Sequence, residues 1–288
     1  MSAGAMEGSR IFRWSVLGFG FAFLYIPILI LIVYSFNESR LASVWSGFSF
    51  KWYGELLRDR SMLDAAWVSI KIAFWTASAA VVLGTMAALA MTRMHHFPTK
   101  TIFGAMITAP LVMPEVITGL SILLMLVSMG GLIGIAPKGV VAIWVAHVTF
   151  TLAFVTVVVS SRLAELDKSL EEAAMDLGAN RIKVFFLITL PIIAPALVSG
   201  WLLAFTLSLD DVVIASFVAG PNSTTLPMKV FSSVRLGLSP KINALASLMV
   251  LAVAFAALIG WWLMHREEKR RQRDIQLAAQ ANMDHDND

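Results

Sequence analysis

The stretch that decides the fold, residues 160–196, reads SSRLAELDKSLEEAAMDLGANRIKVFFLITLPIIAPA. Its first half is rich in charged residues, whereas long apolar runs lie on either side of it, at 140–160 and at 192–219. A helix needs about 20 mostly apolar residues to cross the hydrocarbon core of a bilayer, and both runs are long enough. The charged stretch is therefore predicted to be a polar connection between two membrane-spanning helices.

The composition of the whole chain also indicates a membrane protein. Of its 288 residues, 58% are hydrophobic and 14% are charged, with a mean hydropathy of +0.77, whereas soluble domains carry about 25% charged residues. The sequence has no cysteine, which excludes disulfides, cysteine-ligated metals and thiol catalysis. The net charge of +3 is too small to indicate a nucleic-acid partner. An all-α polytopic membrane protein is the class that remains.

Six apolar runs predict six transmembrane helices. They lie at 14–36, 65–91, 102–129, 140–160, 192–219 and 243–264. Lysine and arginine are denser in the connections on the side of the two termini, so the positive-inside rule predicts that both termini are cytoplasmic. The first run is too long for the apolar region of a signal peptide and is predicted to be retained.

The order of the runs predicts three segments. Residues 1–64 hold the first transmembrane helix and an outer loop, in which a short amphipathic helix is expected over 52–57. Residues 65–264 form a five-helix core that includes the connection at 161–191. Residues 265–288 form a cytoplasmic tail, first basic and then polar.

The charged connection has the signals of a folded element. Ser169 and Glu172 have the spacing of a capping box at a helix start, and Gly178 is placed to end that helix in a left-handed conformation. A second short helix is predicted from about Asn180, and Pro191 is expected to mark the start of the fifth span. Two short helices joined at a glycine favour docking into a cleft of another protein.

Carboxylates inside the apolar runs are the candidate substrate site. Asp210 and Asp211 fall within the fifth run and Glu115 within the third, just after Pro114. An ionised carboxylate at a helix centre costs about 2.5–3.5 kcal/mol, so such groups normally face a cavity or a partner. No Lys or Arg lies deep inside the runs, so a cationic substrate could neutralise these groups. Adjacent helical residues point about 100° apart, so the two aspartates are not expected to serve equally unless the helix is broken there. His147 is predicted to be a lone, buried packing residue.

The connection resembles the EAA loop of permease subunits from binding-protein-dependent ABC importers. The positions of that motif are occupied by Glu172, Ala173, Ala174, Gly178, Ile188, Leu190 and Pro191. In addition, residues 109–120, 203–221 and 224–235 are similar to the permeases of polyamine importers. The resemblance implies a type I ABC importer permease fold in which the loop supplies a coupling helix to an ATPase subunit.

The resemblance also implies the partners. They are a homologous second permease, a cytoplasmic ABC ATPase dimer, a periplasmic polyamine-binding protein and membrane lipid. The location implied is the bacterial inner membrane, and the substrate is putrescine or spermidine. This chain is expected to bind no cofactor, because ATP and magnesium belong to the ATPase subunit, and no metal.

Two other classes, and another substrate, are weighed against this interpretation. An intramembrane enzyme would need a catalytic motif such as His-Glu-x-x-His or Gly-x-Ser-x-Gly, and neither occurs in the sequence. A stand-alone secondary transporter would use the embedded carboxylates, but six spans without an evident inverted repeat are few for that class. A permease for another small cationic or organic solute remains an alternative.

Overall fold

The computed structural model describes residues 3–40, 44–94, 98–134, 136–236 and 240–255, together with residues 258, 262, 265 and 266. These residues are almost entirely helical. The helices are α1 (Ala3–Tyr34), α2 (Lys51–Arg58), α3 (Arg60–Arg93), α4 (Lys100–Val112), α5 (Glu115–Ile133), α6 (Val140–Glu165), α7 (Lys168–Asp176), α8 (Arg181–Val184), α9 (Leu190–Asp210), α10 (Val213–Val218), α11 (Leu226–Leu236) and α12 (Pro240–Phe255). A π-helical segment, Phe185–Thr189, joins α8 to α9. The predicted all-α fold is confirmed.

Four helical segments in the described part of the chain are long and apolar enough to cross a membrane. They are Phe12–Tyr34, Arg60–Arg93, Val140–Glu165 and Arg181–Asp210. The pair α4 and α5 could form a fifth span, although its two halves are bent by 118°. The predicted sixth span, 243–264, overlaps α12, but its second half lies largely outside the described residues. The count of six therefore stays a prediction.

The third predicted span, 102–129, consists of two helices and not of one. The break falls at Met113 and Pro114, which have extended backbones with ψ near 136°. A proline disfavours helical geometry in the residue before it, and because it has no backbone N–H group it cannot donate a helical hydrogen bond. The chain therefore leaves α4 at Met113 and starts a new helix at Glu115.

The predicted continuous helix over 192–219 is interrupted near its end. The helix α9 starts at Leu190 with Pro191 in its first turn, as predicted, and the π-helical segment and α8 extend the apolar helical segment back to Arg181. It ends at Asp210, and the short helix α10 follows after Asp211 and Val212. The cause of the second break is Asp211, whose carboxylate accepts hydrogen bonds from the backbone N–H groups of Ile214 (3.2 Å) and Ala215 (2.7 Å) and thereby caps α10.

The described residues fall into two compact units, Asp59–Leu236 and the combination of Met1–Arg58 with Gly237–Asp288. The core of the first unit is formed by α3, α6 and α9. Small residues let these helices approach closely, as in other membrane bundles. A Cβ atom added at Gly84 of α3 would lie 2.8 Å from the Val155 side chain of α6, and one at Gly200 of α9 would lie 3.4 Å from it. Val155 thus fills the space between two glycines.

The same unit contains a helix that the sequence did not predict. Residues 220–242 connect the predicted spans 192–219 and 243–264, and no helix is predicted there, but α11 occupies Leu226–Leu236. Its start is fixed to α3, because the backbone N–H of Leu226 donates to the Ser69 hydroxyl at 2.8 Å. Pro227 sits in the first turn, where its missing N–H costs no helical hydrogen bond.

The second unit contains the predicted amphipathic helix, confirmed as α2. Its Trp52 and Leu56 side chains are buried, and the indole N–H of Trp52 donates to the Asn37 carbonyl at 2.7 Å. By contrast, α1 is exposed along its apolar length; Phe19 and Phe23, for example, are 73% and 71% exposed. So large an apolar surface needs lipid or another protein to cover it.

Candidate functional site

The connection between α6 and α9 is folded as two short helices, as predicted, but it is capped differently. Asp167 caps α7, because its carboxylate accepts from the Ser169 N–H at 2.9 Å. The predicted capping box of Ser169 and Glu172 is wrong, since the helix already begins at Lys168 and Glu172 is exposed. The hydrogen bonds from the backbone and side chain of Ser169 also hold the pKa of Asp167 below its usual value.

The glycine elbow is confirmed. Gly178 has a φ of +87°, a conformation that other residues rarely adopt. Its N–H donates to the Met175 carbonyl at 2.9 Å, and the N–H of Ala179 donates to Ala174 at 3.1 Å, so the end of α7 is closed by local bonds. Asn180 then caps α8 by accepting from the Lys183 N–H at 2.8 Å.

The outer surface of this elbow is apolar and uncovered. Leu177 is 91% exposed and Ile182 is 69% exposed. Among the predicted docking residues, Glu172 and Ala173 are exposed and Ala174 is half-buried. Leu190 and Pro191, the last two positions of the motif, lie instead in the membrane-type helix, half-buried and exposed respectively. The exposed apolar side chains suit contact with another protein.

The inner surface of the connection is tied to the helix bundle through a residue that sequence reasoning missed. Glu171 pairs with Arg93, the last residue of α3, at 3.0 Å. The hydroxyl of Thr189, in the π-helical segment, donates to the same carboxylate at 2.8 Å. Arg93 also donates to the Leu166 carbonyl, at 3.4 Å, where α6 ends. The only sign of this contact in the sequence is that two glutamates, Glu171 and Glu172, are adjacent. The EAA-type motif assigns its glutamate position to Glu172, and Glu171 was therefore not selected.

The carboxylates of the fifth span lie at the break between α9 and α10. Asp211 is anchored there, with only 5% of its side chain exposed. Besides capping α10, it lies 3.1 Å from Nε2 of His147, whose Nδ1 lies 2.7 Å from the Ser208 hydroxyl. The prediction that His147 is buried is confirmed, but it is not a lone residue. Its polar partners, Ser208 and Asp211, are three residues apart in the fifth predicted span. This spacing is the feature of the sequence from which the contact with His147 could have been predicted.

The other two candidate carboxylates are exposed. Asp210 is the last residue of α9, and Glu115 is the first residue of α5. Glu115 lies in the first turn of its helix, where the helix dipole favours a negative charge. Within the described residues neither side chain donates to or accepts from another side chain, and no hydrogen bond joins them. Both stand where an apolar helix is interrupted, which is a common position for groups that meet a transported solute.

In the part of the chain that the structure describes, several apolar helices are long enough to span a membrane, two are interrupted beside carboxylates, and a folded polar connection joins two of them; these features are typical of a membrane transport protein. Residues 80–273 match the family described as the binding-protein-dependent transport system inner membrane component, and this chain belongs to that family. Membership confirms the predictions of an inner-membrane permease and of a protein that is not an enzyme.

Known relatives are permeases. The chain is 60% identical to the putrescine transport system permease protein PotI of Escherichia coli K12, over 92% of this chain and 95% of that protein. It is 41% identical to the spermidine/putrescine transport system permease protein PotC of Haemophilus influenzae, over 79% of this chain and 87% of that protein.

Solved structures agree with the fold. A chain from a bacterial ABC transporter involved in the import of alginate superposes with a TM-score of 0.70 at 15% identity, covering 91% of this chain and 98% of that one. A second alginate ABC transporter structure, in complex with a periplasmic protein that holds an alginate pentasaccharide, gives a TM-score of 0.69 at 14% identity, over 89% of this chain and 94% of that one.

Proposed function

We propose that this chain is a permease subunit for the uptake of polyamines, with putrescine as the first candidate, driven by ATP hydrolysis in a separate subunit. The observation that carries the proposal is the 60% identity to a putrescine permease over 92% of the chain. An alignment over 92% of the chain includes both helix breaks, at residues 113–114 and 211–212, where the candidate pathway carboxylates lie.

The proposed complex pairs this chain with a homologous second permease, an ABC ATPase dimer and a periplasmic binding protein. The family description, which names binding-protein dependence, supports the last of these. The exposed faces of α1, and of other apolar helices, support a lipid and permease environment. The chain has no nucleotide-binding loop, so ATP and magnesium are assigned to the ATPase and no cofactor to this chain.

The proposed topology has six spans with both termini in the cytoplasm. The density of Lys and Arg near the termini and in the α6–α9 connection supports it. The proposed coupling element is the EAA-type connection at 161–191, with Glu172, Ala173, Ala174 and Gly178 at the ATPase and Leu190 and Pro191 in the following helix. The uncovered apolar elbow at Leu177 and Ile182 supports this assignment.

The proposed pathway places Asp210 first, with Glu115 as a further contact. Asp211 is already engaged with His147 and the amides of α10, whereas the neighbouring Asp210 is exposed at the helix break. A diamine offers two ammonium groups that can each form a charge-assisted hydrogen bond with a carboxylate. The contact must be weak, because substrate has to leave toward the cytoplasm.

The test is reconstitution. The chain is co-expressed with its partner permease, ATPase and binding protein, purified as a complex and placed in lipid vesicles. We expect ATP-dependent accumulation of radiolabelled putrescine and ATPase activity that rises with loaded binding protein. A complex that assembles but accumulates no polyamine would contradict the substrate, and a chain that never co-purifies with the ATPase would contradict the function.

Competition separates the candidate substrates. The similarity to a spermidine/putrescine permease makes spermidine the second candidate. Unlabelled spermidine that abolishes putrescine accumulation at an equal concentration would identify a general polyamine pathway. Competition by a neutral or anionic solute instead would favour the alternative of another organic solute.

Topology has its own test. Lys51 is exposed and belongs to α2, in the proposed outer loop. The natural chain has no cysteine, so a Lys51→Cys variant gives a single reactive thiol. A membrane-impermeant maleimide added to spheroplasts should label it. Labelling only after the cytoplasmic face is opened would reverse the topology.

A further inference from the structure

Glu171 stands beside the glutamate of the EAA-type motif, yet the two side chains have different surroundings. Glu172 is exposed, whereas the Glu171 side chain is only 16% exposed and the paired Arg93 side chain is 17% exposed. An ion pair that is largely withdrawn from water and held by further hydrogen bonds has a fixed geometry, unlike a mobile surface pair.

Four elements meet at this ion pair. Arg93 closes α3 and reaches the carbonyl of Leu166, where α6 ends. Glu171 lies in the first turn of α7. Thr189, 2% exposed, donates to Glu171 from the end of the π-helical segment that continues into α9. Both α3 and α9 belong to the packed core, so the pair connects the polar connection directly to two core helices.

We propose that Glu171 is a positioning residue for coupling: through Arg93 and Thr189 it transmits displacement of α7 to α3 and to the α9 segment. The inference rests on the proposed function, because it takes α7 to be the element that contacts the ATPase. Within the described residues, the bonds of Glu171 to Arg93 and Thr189 are the polar contacts that connect α7 to the core helices, apart from the continuous backbone itself. A π-helical turn is rare and frequently occurs at functional sites in helices, and Thr189 is the last residue of one.

The primary test is Glu171→Gln in the reconstituted complex, with putrescine as substrate. Glutamine keeps an oxygen that can accept from Thr189 but removes the charge that holds Arg93. We expect normal assembly and basal ATPase activity, with the number of putrescine molecules transported per ATP falling at least about fivefold, the lower end of typical coupling effects. A residue with only a structural role would lower transport and hydrolysis in proportion and leave that ratio unchanged.

The matched control is Glu165→Gln. Glu165 also pairs with an arginine at 3.0 Å, Arg162, but both side chains are exposed at the end of α6 and join no second element. Its ratio of transport to hydrolysis should equal that of the natural chain. Thr189→Val provides a second variant, because it removes one hydroxyl and leaves the ion pair in place; we expect a smaller fall in the same ratio.

Rescue tests the mechanical role directly. The chain has no cysteine, so an Arg93→Cys and Glu171→Cys double variant can be joined by a reducible bifunctional thiol reagent. We expect a low ratio without the reagent, recovery when the bridge is present and loss again on reduction. Unchanged coupling in Glu171→Gln and Thr189→Val, or a bridge that restores nothing, would overturn the inference. Failure of the natural chain to couple ATP hydrolysis to putrescine uptake would instead overturn the proposed function.

Discussion

Two pairs of adjacent acidic residues have the same arrangement. They are Asp210–Asp211 at a helix break and Glu171–Glu172 in the polar connection. In each pair one carboxylate is tied into the chain and its neighbour is exposed. Asp211 binds His147 and the amides of α10, and Glu171 binds Arg93 and Thr189. Asp210 and Glu172 are exposed. The tied member fixes the backbone at that point, and the exposed member is then presented from a defined position.

The pairs differ in what the tied carboxylate holds. Asp211 joins the break between α9 and α10 to one other helix, α6, through His147. Glu171 joins α7 to two other elements, α3 through Arg93 and the π-helical segment through Thr189. The first arrangement is suited to a fixed substrate-facing break, whereas the second is suited to relaying movement. Variants of the four carboxylates test this difference.

The largest effect is expected from Asp211→Leu. The change leaves the buried imidazole of His147 without its acceptor and removes the cap of α10. Leaving a buried polar group without its hydrogen-bond partner typically costs about 1–3 kcal/mol, and loss of the cap adds about 1 kcal/mol, so the yield and thermal midpoint of the purified complex should fall sharply. Asp211→Asn is the matched control, because its amide oxygen can still cap α10. Equal stability of the Leu and natural complexes would show that Asp211 is not the anchored member.

The next effect is expected from Asp210→Asn, and it should appear in transport and not in stability. Removing the charge weakens attraction for an ammonium group, and we expect putrescine uptake to fall about fivefold or more, equivalent to about 1 kcal/mol. Thermal unfolding of the complex should be unchanged. Uptake at the natural rate, in vesicles with matched amounts of complex, would leave Asp210 as an ordinary polar end of α9.

Sequence reasoning identified Asp210, Asp211 and Glu172, but it missed Glu171 and did not show which member of each pair is anchored. Apolar runs and charge density are enough to find the helices, because membrane spans must be long and apolar whatever their neighbours are. The 100° argument for two inequivalent aspartates assumed a continuous helix, but α9 ends at Asp210, so their different surroundings arise from the helix break. Their unequal effect on transport stays a prediction. The break at Asp211 could not be predicted, because it depends on a capping bond and on His147, which lies 64 residues earlier in the chain. The same limit hid the contact of Glu171 with Arg93, 78 residues away.

The exact ends of helices are also hard to predict from the sequence, here because of residues only a few positions apart. Ser169 and Glu172 fit the spacing of a capping box, yet Asp167 lies two residues earlier and is an equally good cap. Several residues compete as caps in a polar stretch, and the choice depends on where the preceding helix stops. Gly178 was predictable because no other residue type serves its backbone conformation so well.

A smaller effect is expected from Gly178→Val. A β-branched residue at a φ of +87° should introduce about 1–3 kcal/mol of backbone strain. No heavy atom lies within 4 Å of the position that a Cβ would take, so the strain is conformational and not a clash. Binding of the ATPase and substrate-stimulated hydrolysis should fall while insertion into the membrane stays normal. Gly178→Asn should lose less, because asparagine tolerates positive φ; equal loss in both variants would point to a role other than backbone geometry.

The smallest effect on the chain itself is expected from Glu172→Gln. Its side chain is exposed and makes no hydrogen bond within the described residues, and surface changes of this kind usually alter stability by less than about 0.5 kcal/mol. The thermal midpoint of the isolated permease pair should therefore match that of the natural pair, whereas Glu171→Gln should lower it. For binding to the ATPase we expect the opposite order of the two variants. Glu172→Gln should weaken the association measurably, because only the exposed glutamate can reach a partner. A Glu172→Gln variant that destabilises the permease pair alone would mean that this carboxylate is also tied into the chain, and the contrast between anchored and presented members would then hold only for the aspartates.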